Sequence, residues 1–283
     1  MIVNIVNMEK FVMKNYLIDT HAHLDMGIGL NNDNADTVEK QASDNEIAEN
    51  LTLMKDNGVK KVIIPSVEIK TIDRIIEIAD KCEDIFAMVG IFPSEAKTYS
   101  EEVEKKLETI AANNKKVVAV GEIGLDYYWD KSFNDIQKEV FSKQIHLANR
   151  LNLPIVVHDR EAHKDTFDIL KAENKNSKIL FHCFSGSVEF MKECVKEGWY
   201  IAIGGVVTFK NAVKMKEVAK EVPLDKLVLE TDSPYLTPVP FRGKPNRPAY
   251  VKYVAEEISK IRGISYDELA DITSNNAESL FSI

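Results

Sequence analysis

Four of the six histidines and two carboxylates stand where they could act together on one substrate. The tightest group is DTHAHLD, Asp19 to Asp25, in which His21 and His23 are two residues apart. Side chains at i and i+2 of a strand share a face, so both imidazoles can turn toward one ion. Glu122 follows VVAV-Gly121, His158 closes PIVV, His182 closes KILF and Asp232 follows KLVLET. Singly, each has an ordinary explanation: a helix cap, a satisfied core imidazole, or a turn at Asp232-Ser233-Pro234. Together they all sit at the ends of apolar runs, and a shared metal site accounts for that in one step. Imidazole and carboxylate donors suit Zn, Mn, Fe or Co, whereas Mg prefers oxygen. Four histidines and two carboxylates exceed one tetrahedral ion. They match two divalent ions with one carboxylate bridging, and such a pair, about 3.5–4 Å apart, suits phosphoryl displacement. The metal identity stays open among Mg, Mn, Zn, Fe and Co.

Two such ions carry four positive charges and the two carboxylates remove two, so the centre should favour an anion. Arg160, Arg242, Lys244 and Arg247 fall on loops of the same rim. Arg160, Arg242 and Lys244 are expected to touch substrate, the alternative being ordinary solvated charge. Asp19 and Asp25 share strand parity with His21 and His23 and are expected to hold imidazole N–H groups. His146, inside FSKQIHLANRL, reads as structural or exposed, and His163 as a helix residue near the rim.

The elements that must position these residues read as alternating strands and helices. Strands are expected at Tyr16–Thr20, Lys60–Pro65, Phe86–Ile91, Val117–Glu122, Pro154–His158, Lys178–His182, Trp199–Gly204 and Lys226–Asp232. They are nearly unbroken apolar runs, as parallel strands buried on both faces require. Helical patterns lie between them, among them Ile72–Lys81, Phe133–Leu151 and Val188–Glu197. Gly58 suits a helix C-terminus. Ser265 with Glu268 predicts a capping box for a last helix over Tyr266–Leu280. Eight β/α units in 283 residues predict an α/β protein, a single-domain (β/α)8 TIM barrel. Polar Gly27–Asn45 and basic Thr237–Pro248 are insertions after the first and eighth strands, on the face where barrel enzymes build their sites.

Composition excludes several classes. Apolar residues make up 45% and charged residues 29%, ordinary for a globular chain. No apolar run approaches the roughly 18 residues of a membrane span, and the N-terminus lacks the pattern of a signal peptide. Cys82, Cys183 and Cys194 form no CxxC pair, which fits a reducing cytoplasm. A net charge of −9 argues against a protein that coats DNA by charge alone. It leaves room for a nuclease that gathers a few phosphates at a metal centre. No oligomer is required, and a monomer is expected.

The chain resembles the TatD family of metal-dependent hydrolases in the wider amidohydrolase superfamily. The resemblance rests on DTHAHLD, VGEIGLDYY (Val120 to Tyr128), PIVVHDREAHKDT (Pro154 to Thr166), FHCFSGS (Phe181 to Ser187), LETDSPYLTP (Leu229 to Pro238) and RGKPNRPAYV (Arg242 to Val251). It implies a barrel holding up to two or three divalent ions. His21 and His23 would bind one with Asp232, and Glu122 would bridge to a second completed by His158 and His182. The implied activity is a metal-dependent deoxyribonuclease working from 3′ ends, with single-stranded DNA or 3′ termini as substrate. Where many members read GIHPH, this chain reads Gly90-Ile91-Phe92-Pro93-Ser94, so Phe92 replaces an imidazole. The first twelve residues precede the usual family start, which makes Met13 an alternative first residue. Residues 1–15 are read as an extension and 16–283 as the barrel.

The resulting expectation is a 3′–5′ exodeoxyribonuclease with Asp232 as general base and Glu122 as the group that spaces the ions. The alternatives are an enzyme of the same fold acting on an amide, lactone or aminoacyl ester, and a non-catalytic protein with a vestigial metal site.

Overall fold

Strands buried on both faces need an apolar residue at nearly every position, and the eight runs with that property pair into one sheet. The computed structural model describes residues 16–29 and 38–283; the expected extension and Met13 lie outside them. The elements are β1 (Leu17–Asp19), β2 (Met26–Gly29), β3 (Val38–Gln41), α1 (Asp44–Asp56), β4 (Val59–Ile64), α2 (Ile72–Lys81), β5 (Ile85–Val89), α3 (Glu101–Asn113), β6 (Val117–Asp126), α4 (Asn134–Leu151), β7 (Ile155–Arg160), α5 (His163–Glu173), β8 (Ile179–Phe181), α6 (Val188–Lys196), β9 (Tyr200–Ile203), α7 (Val213–Glu221), β10 (Leu227–Leu229), α8 (Val251–Arg262) and α9 (Tyr266–Phe281).

The large sheet runs β1-β4-β5-β6-β7-β8-β9-β10, with each neighbouring pair parallel. It closes from β10 to β1: Thr20 N–H donates to the Leu229 carbonyl at 3.1 Å, and Ala22 bridges Ser233 in parallel. This is the expected (β/α)8 barrel. Its interior takes buried side chains from every strand, one each except for two from β6: Ile18, Ile63, Met88, Val118 with Ala119, Val156, Leu180, Ala202 and Val228. Ala277, Leu280 and Phe281 of α9 pack against that layer. The outward residues of the same strands, such as Val62, Val89, Val157 and Ile203, pack with the helices in the larger core. The eight expected strands and the helix Ile72–Lys81 match the observed elements, with ends that differ by a few residues.

The capping pattern differs from the expectation. Ser265 accepts from Glu268 N–H at 3.1 Å, one half of the expected box. The full reciprocal box stands at Ser43 and Glu46, at the head of α1. The first insertion carries a hairpin, β2 against β3, antiparallel from Met26↔Gln41 to Gly29↔Val38. The basic loop is tied down by buried Asn246, whose amide donates to the carbonyls of Thr231 (2.8 Å) and Tyr235 (2.6 Å).

Two glutamines seven apart on α4 lock the rim, since residues at that spacing share one helix face. Gln137 exchanges two hydrogen bonds with the backbone of Asp126, at 2.9 and 3.0 Å. Gln144 does the same with Ile91, at 2.7 and 3.0 Å. Gly124 has φ +146°, and a Cβ there would overlap the carbonyl oxygen of His158, its partner on β7. Gly124→Ala is therefore expected to cost at least the roughly 1–3 kcal/mol of forbidden backbone and to displace His158. A melting temperature lowered by several degrees, together with weaker metal uptake, is the measurable outcome; a wild-type melt would contradict it.

Candidate metal centre

Glu122 lies near the middle of a cluster assembled from five barrel strands and the segments that follow them. Its Oε1 is 2.8 Å from His158 Nδ1 and 2.9 Å from His182 Nε2. Its Oε2 is 3.2 Å from His21 Nε2. Asp232 Oδ1 lies 3.5 Å from His23 Nε2 and 3.9 Å from His21 Nε2. The rings of His21 and His182 stack at 3.8 Å. In three sets, one nitrogen or carboxylate oxygen from each residue lies within 4.8 Å of the others: His21, His23 and Glu122; Glu122, His158 and His182; and His21, His182 and Asp232. The structure thus brings together all six residues singled out in the sequence. The two oxygens of Glu122 face different imidazoles, the arrangement a bridging carboxylate needs.

Backbone geometry aims these groups. Asp232 has φ +55°, a left-handed conformation uncommon outside glycine, asparagine and aspartate. Its N–H donates to the His21 carbonyl at 2.9 Å, so the ends of β10 and β1 hold each other. Asp19 is buried, and its oxygens accept from the N–H groups of His21 (3.2 Å) and Thr231 (2.9 Å) and from the Thr231 hydroxyl (2.6 Å). The expectation that it holds an imidazole is corrected: it fixes the backbone of the segments that carry His21 and Asp232. Asp25 is also buried, but its Oδ1 has no hydrogen-bond partner, so no imidazole bond is assigned to that atom.

Two further carboxylates were not singled out from sequence. Asp126 Oδ2 lies 3.0 Å from His158 Nε2, the nitrogen turned away from Glu122. Glu230 is fully buried; it accepts from Cys183 N–H at 2.5 Å and lies 3.5 Å from His182 Nδ1. Such outer carboxylates orient an imidazole ligand and fix its tautomer. The available signal was parity: Asp126 is four residues past Glu122, and Glu230 two before Asp232.

The donor set fits divalent cations. Nε2 of His21, the ring nitrogen that faces Glu122 and Asp232, is buried without a hydrogen bond. A buried polar atom left unpartnered costs about 1–3 kcal/mol, which a coordinated cation would offset. Burial opposes ionisation of Glu122, but the charges of His182 and His21 hold its carboxyl well below the usual range. Burial also opposes charge on His182, yet Glu122 and Glu230 raise it well above the ordinary imidazole value. Burial is likewise outweighed at His158, by Asp126 and Glu122, and at His23, by Asp232; both are raised. His21 is lowered, by burial and then by the charge of His182.

These directions predict a pH dependence. Ligation requires neutral imidazoles, so the raised rings must give up protons when an ion enters. Metal affinity is therefore expected to fall as pH is lowered through and below neutrality. Calorimetric titration in two buffers of different ionisation enthalpy reads the released protons directly; heats independent of buffer would contradict it.

The cationic residues separate. Arg160 ends β7, and its guanidinium lies 3.8 Å over the Tyr128 ring. Its backbone is in register with Asp126. Arg242 lies 3.8 Å over Phe209, and Lys244 is exposed. Among the described residues, no hydrogen bond or ion pair joins either side chain to the six clustered residues. Phe92 packs edge-to-face on His158, ring centroids 4.5 Å apart. His163 meets Asp159 at 2.6 Å, and His146 is exposed beside Glu173 at 3.4 Å.

Fold and centre together define a (β/α)8 barrel with a cluster of histidine and carboxylate at the C-terminal rim. A family model described as "TatD related DNase" matches residues 18–282, and the chain belongs to the TatD family. It is 45% identical over 268 residues to the "uncharacterized metal-dependent hydrolase YabD" of Bacillus subtilis, covering 94% of this chain and 99% of that one. It is 34% identical over 273 residues to the "uncharacterized metal-dependent hydrolase YcfH" of Escherichia coli, covering 95% and 96%. The solved structure of YjjV, a TatD homologue from Escherichia coli, superposes with a TM-score of 0.85 at 30% identity, covering 96% of this chain and all of that one. No helix among the described residues is long and apolar enough to cross a membrane.

Proposed function

We propose that this protein is a metal-dependent hydrolase of phosphodiester bonds in DNA, removing nucleotides from a 3′ end, with two divalent ions at the rim. The observation that carries the reading is Glu122, whose two oxygens face separate imidazoles. His21, His23 and Asp232 would hold one ion, and His158 and His182 the other, with Glu122 shared. The metals, when bound, supply Lewis acidity toward a phosphoryl oxygen. A nuclease also agrees with the description of the matching family model.

The chain's own residues supply the rest. Asp232 takes the proton of the attacking water. Burial works against its charge, but His23, His182 and His21 hold its carboxyl below the usual range, so it enters the reaction ionised. Asp126 and Glu230 keep the rings of His158 and His182 turned toward Glu122. Arg160 offers a planar cation beside Asp126 to the charge that develops on phosphate.

The test is hydrolysis of 3′-labelled single-stranded DNA by the metal-analysed protein, with and without chelator, beside a panel of amides, lactones and aminoacyl esters. Chelator-sensitive release of 3′ nucleotides is expected. Turnover of the carbonyl panel without cleavage of DNA would replace the reading with a carbonyl hydrolase. Bound metal without turnover of any substrate would replace it with a binding protein.

A further inference from the structure

Beside the metal cluster, two aromatic rings stand in solvent. Tyr128 is 47% exposed and Trp129 is 72% exposed. Their rings meet at 4.8 Å and 88°, forming a corner. The Arg160 guanidinium sits in that corner, 3.8 Å over Tyr128 and 5.5 Å from the Trp129 centroid. Among the described residues, no carboxylate lies within ion-pair distance of it. The corner is fixed to the rim by backbone. Asp126 pairs with Arg160 across β6 and β7, Tyr127 N–H donates to the Arg160 carbonyl at 2.9 Å, and Tyr128 N–H donates to Asp126 Oδ1 at 2.9 Å. Asp126 is the same carboxylate that holds His158. Arg160 stands two residues after His158 and so shares its strand face.

Large aromatic rings this exposed, next to a guanidinium that makes no ion pair among the described residues in a chain of net charge −9, mark a contact surface rather than a solvated one. A guanidinium with one face on Tyr128 keeps its N–H edge free for a phosphate. Trp129 offers an open π-face at right angles to Tyr128. A phosphate beside a base that has left its stack presents that combination, and a base inside a duplex does not.

We propose that Arg160, Tyr128 and Trp129 form a ledge for a single-stranded nucleic acid, Arg160 taking the phosphate and Trp129 stacking the base of a nucleotide next to the bond that is cut. This deepens the nuclease reading and rests on it. The ledge would make the enzyme prefer frayed or single-stranded ends and explains how an acidic protein holds DNA without a broad basic surface.

The test measures binding of the metal-loaded protein to short fluorescent single strands with non-hydrolysable phosphorothioate linkages. One strand is complete, and one carries an abasic site scanned along its last few positions. Removal of the stacked base is expected to weaken wild-type binding about ten-fold at one position, the scale of one base–aromatic stack. In Trp129→Ala that difference should vanish, and Trp129→Phe should recover part of it. Arg160→Ala should lower the slope of log Kd against log salt by about one phosphate contact. Trp129 emission should be quenched by the complete strand; the only other tryptophan, Trp199, is buried. Equal sensitivity to the abasic site in wild type and Trp129→Ala, or binding without quenching, overturns the ledge. If wild type still releases 3′ nucleotides in that case, the nuclease reading stands and the ledge alone has failed. If wild type neither binds nor cuts any strand, both fall.

Discussion

Asp232→Asn is expected to lower kcat for a DNA diester by at least about 100-fold, the usual consequence of losing a positioned base. The amide is nearly the same size as the carboxylate, and asparagine also accepts the left-handed backbone that Asp232 adopts at φ +55°. The bond from its N–H to the His21 carbonyl involves only main chain and persists. The variant should therefore fold and keep the ion held by Glu122, His158 and His182. Its amide cannot accept a proton near neutral pH. It also removes one negative charge, so an anionic substrate should bind at least as well. The decisive comparison is single-turnover cleavage against strand affinity, with the metal content of the variant measured. Cleavage at a near-normal rate would remove Asp232 from the role of base.

Glu122→Gln is expected to have the larger effect on the metal. An outer-sphere change already costs about 10- to 100-fold in metal affinity, so loss of the shared carboxylate should exceed 100-fold. The variant should bind fewer ions per chain than wild type, read by elemental analysis after dialysis. The metal-free protein should also be destabilised, and the sign is specific. Glu122 is held low and His158 and His182 are held high. The carboxylate's contribution is present above the unfolded value of about 4.3. That of the raised imidazoles is complete below about 6.5 and fades as pH rises through their folded values. The gap in melting temperature between wild type and Glu122→Gln should therefore be widest at mildly acidic pH and shrink on the alkaline side. Full metal stoichiometry in the variant would end the bridging assignment.

Much of the barrel and the cluster was legible in the residues themselves. Parallel strands buried on two faces leave long apolar runs, and a polar residue closing such a run has to lie at a strand end. His158, His182 and Asp232 were found by that rule, and His21 with His23 by their spacing of two. The rule is silent about hydrogen bonds between elements. It assigned Asp19 to an imidazole, whereas Asp19 holds backbone and the hydroxyl of Thr231, 212 residues away in the chain. It passed over Asp126 and Glu230, because an acid inside a motif gives no sign of which ring it will meet. It placed Arg160, Arg242 and Lys244 on one rim without ranking them.

What the sequence determined by itself is the set of clustered histidines and carboxylates, the order of the strands that carry them, and the barrel that results, since those depend on local periodicity and on burial of both strand faces. The tertiary structure alone decided which oxygen of Glu122 faces which ring, which carboxylates stand behind His158 and His182, and that Arg160 settles over Tyr128 while Arg242 settles over Phe209. Those outcomes depend on the register between neighbouring strands and on the closure of β10 against β1, which bring together residues that share no local pattern.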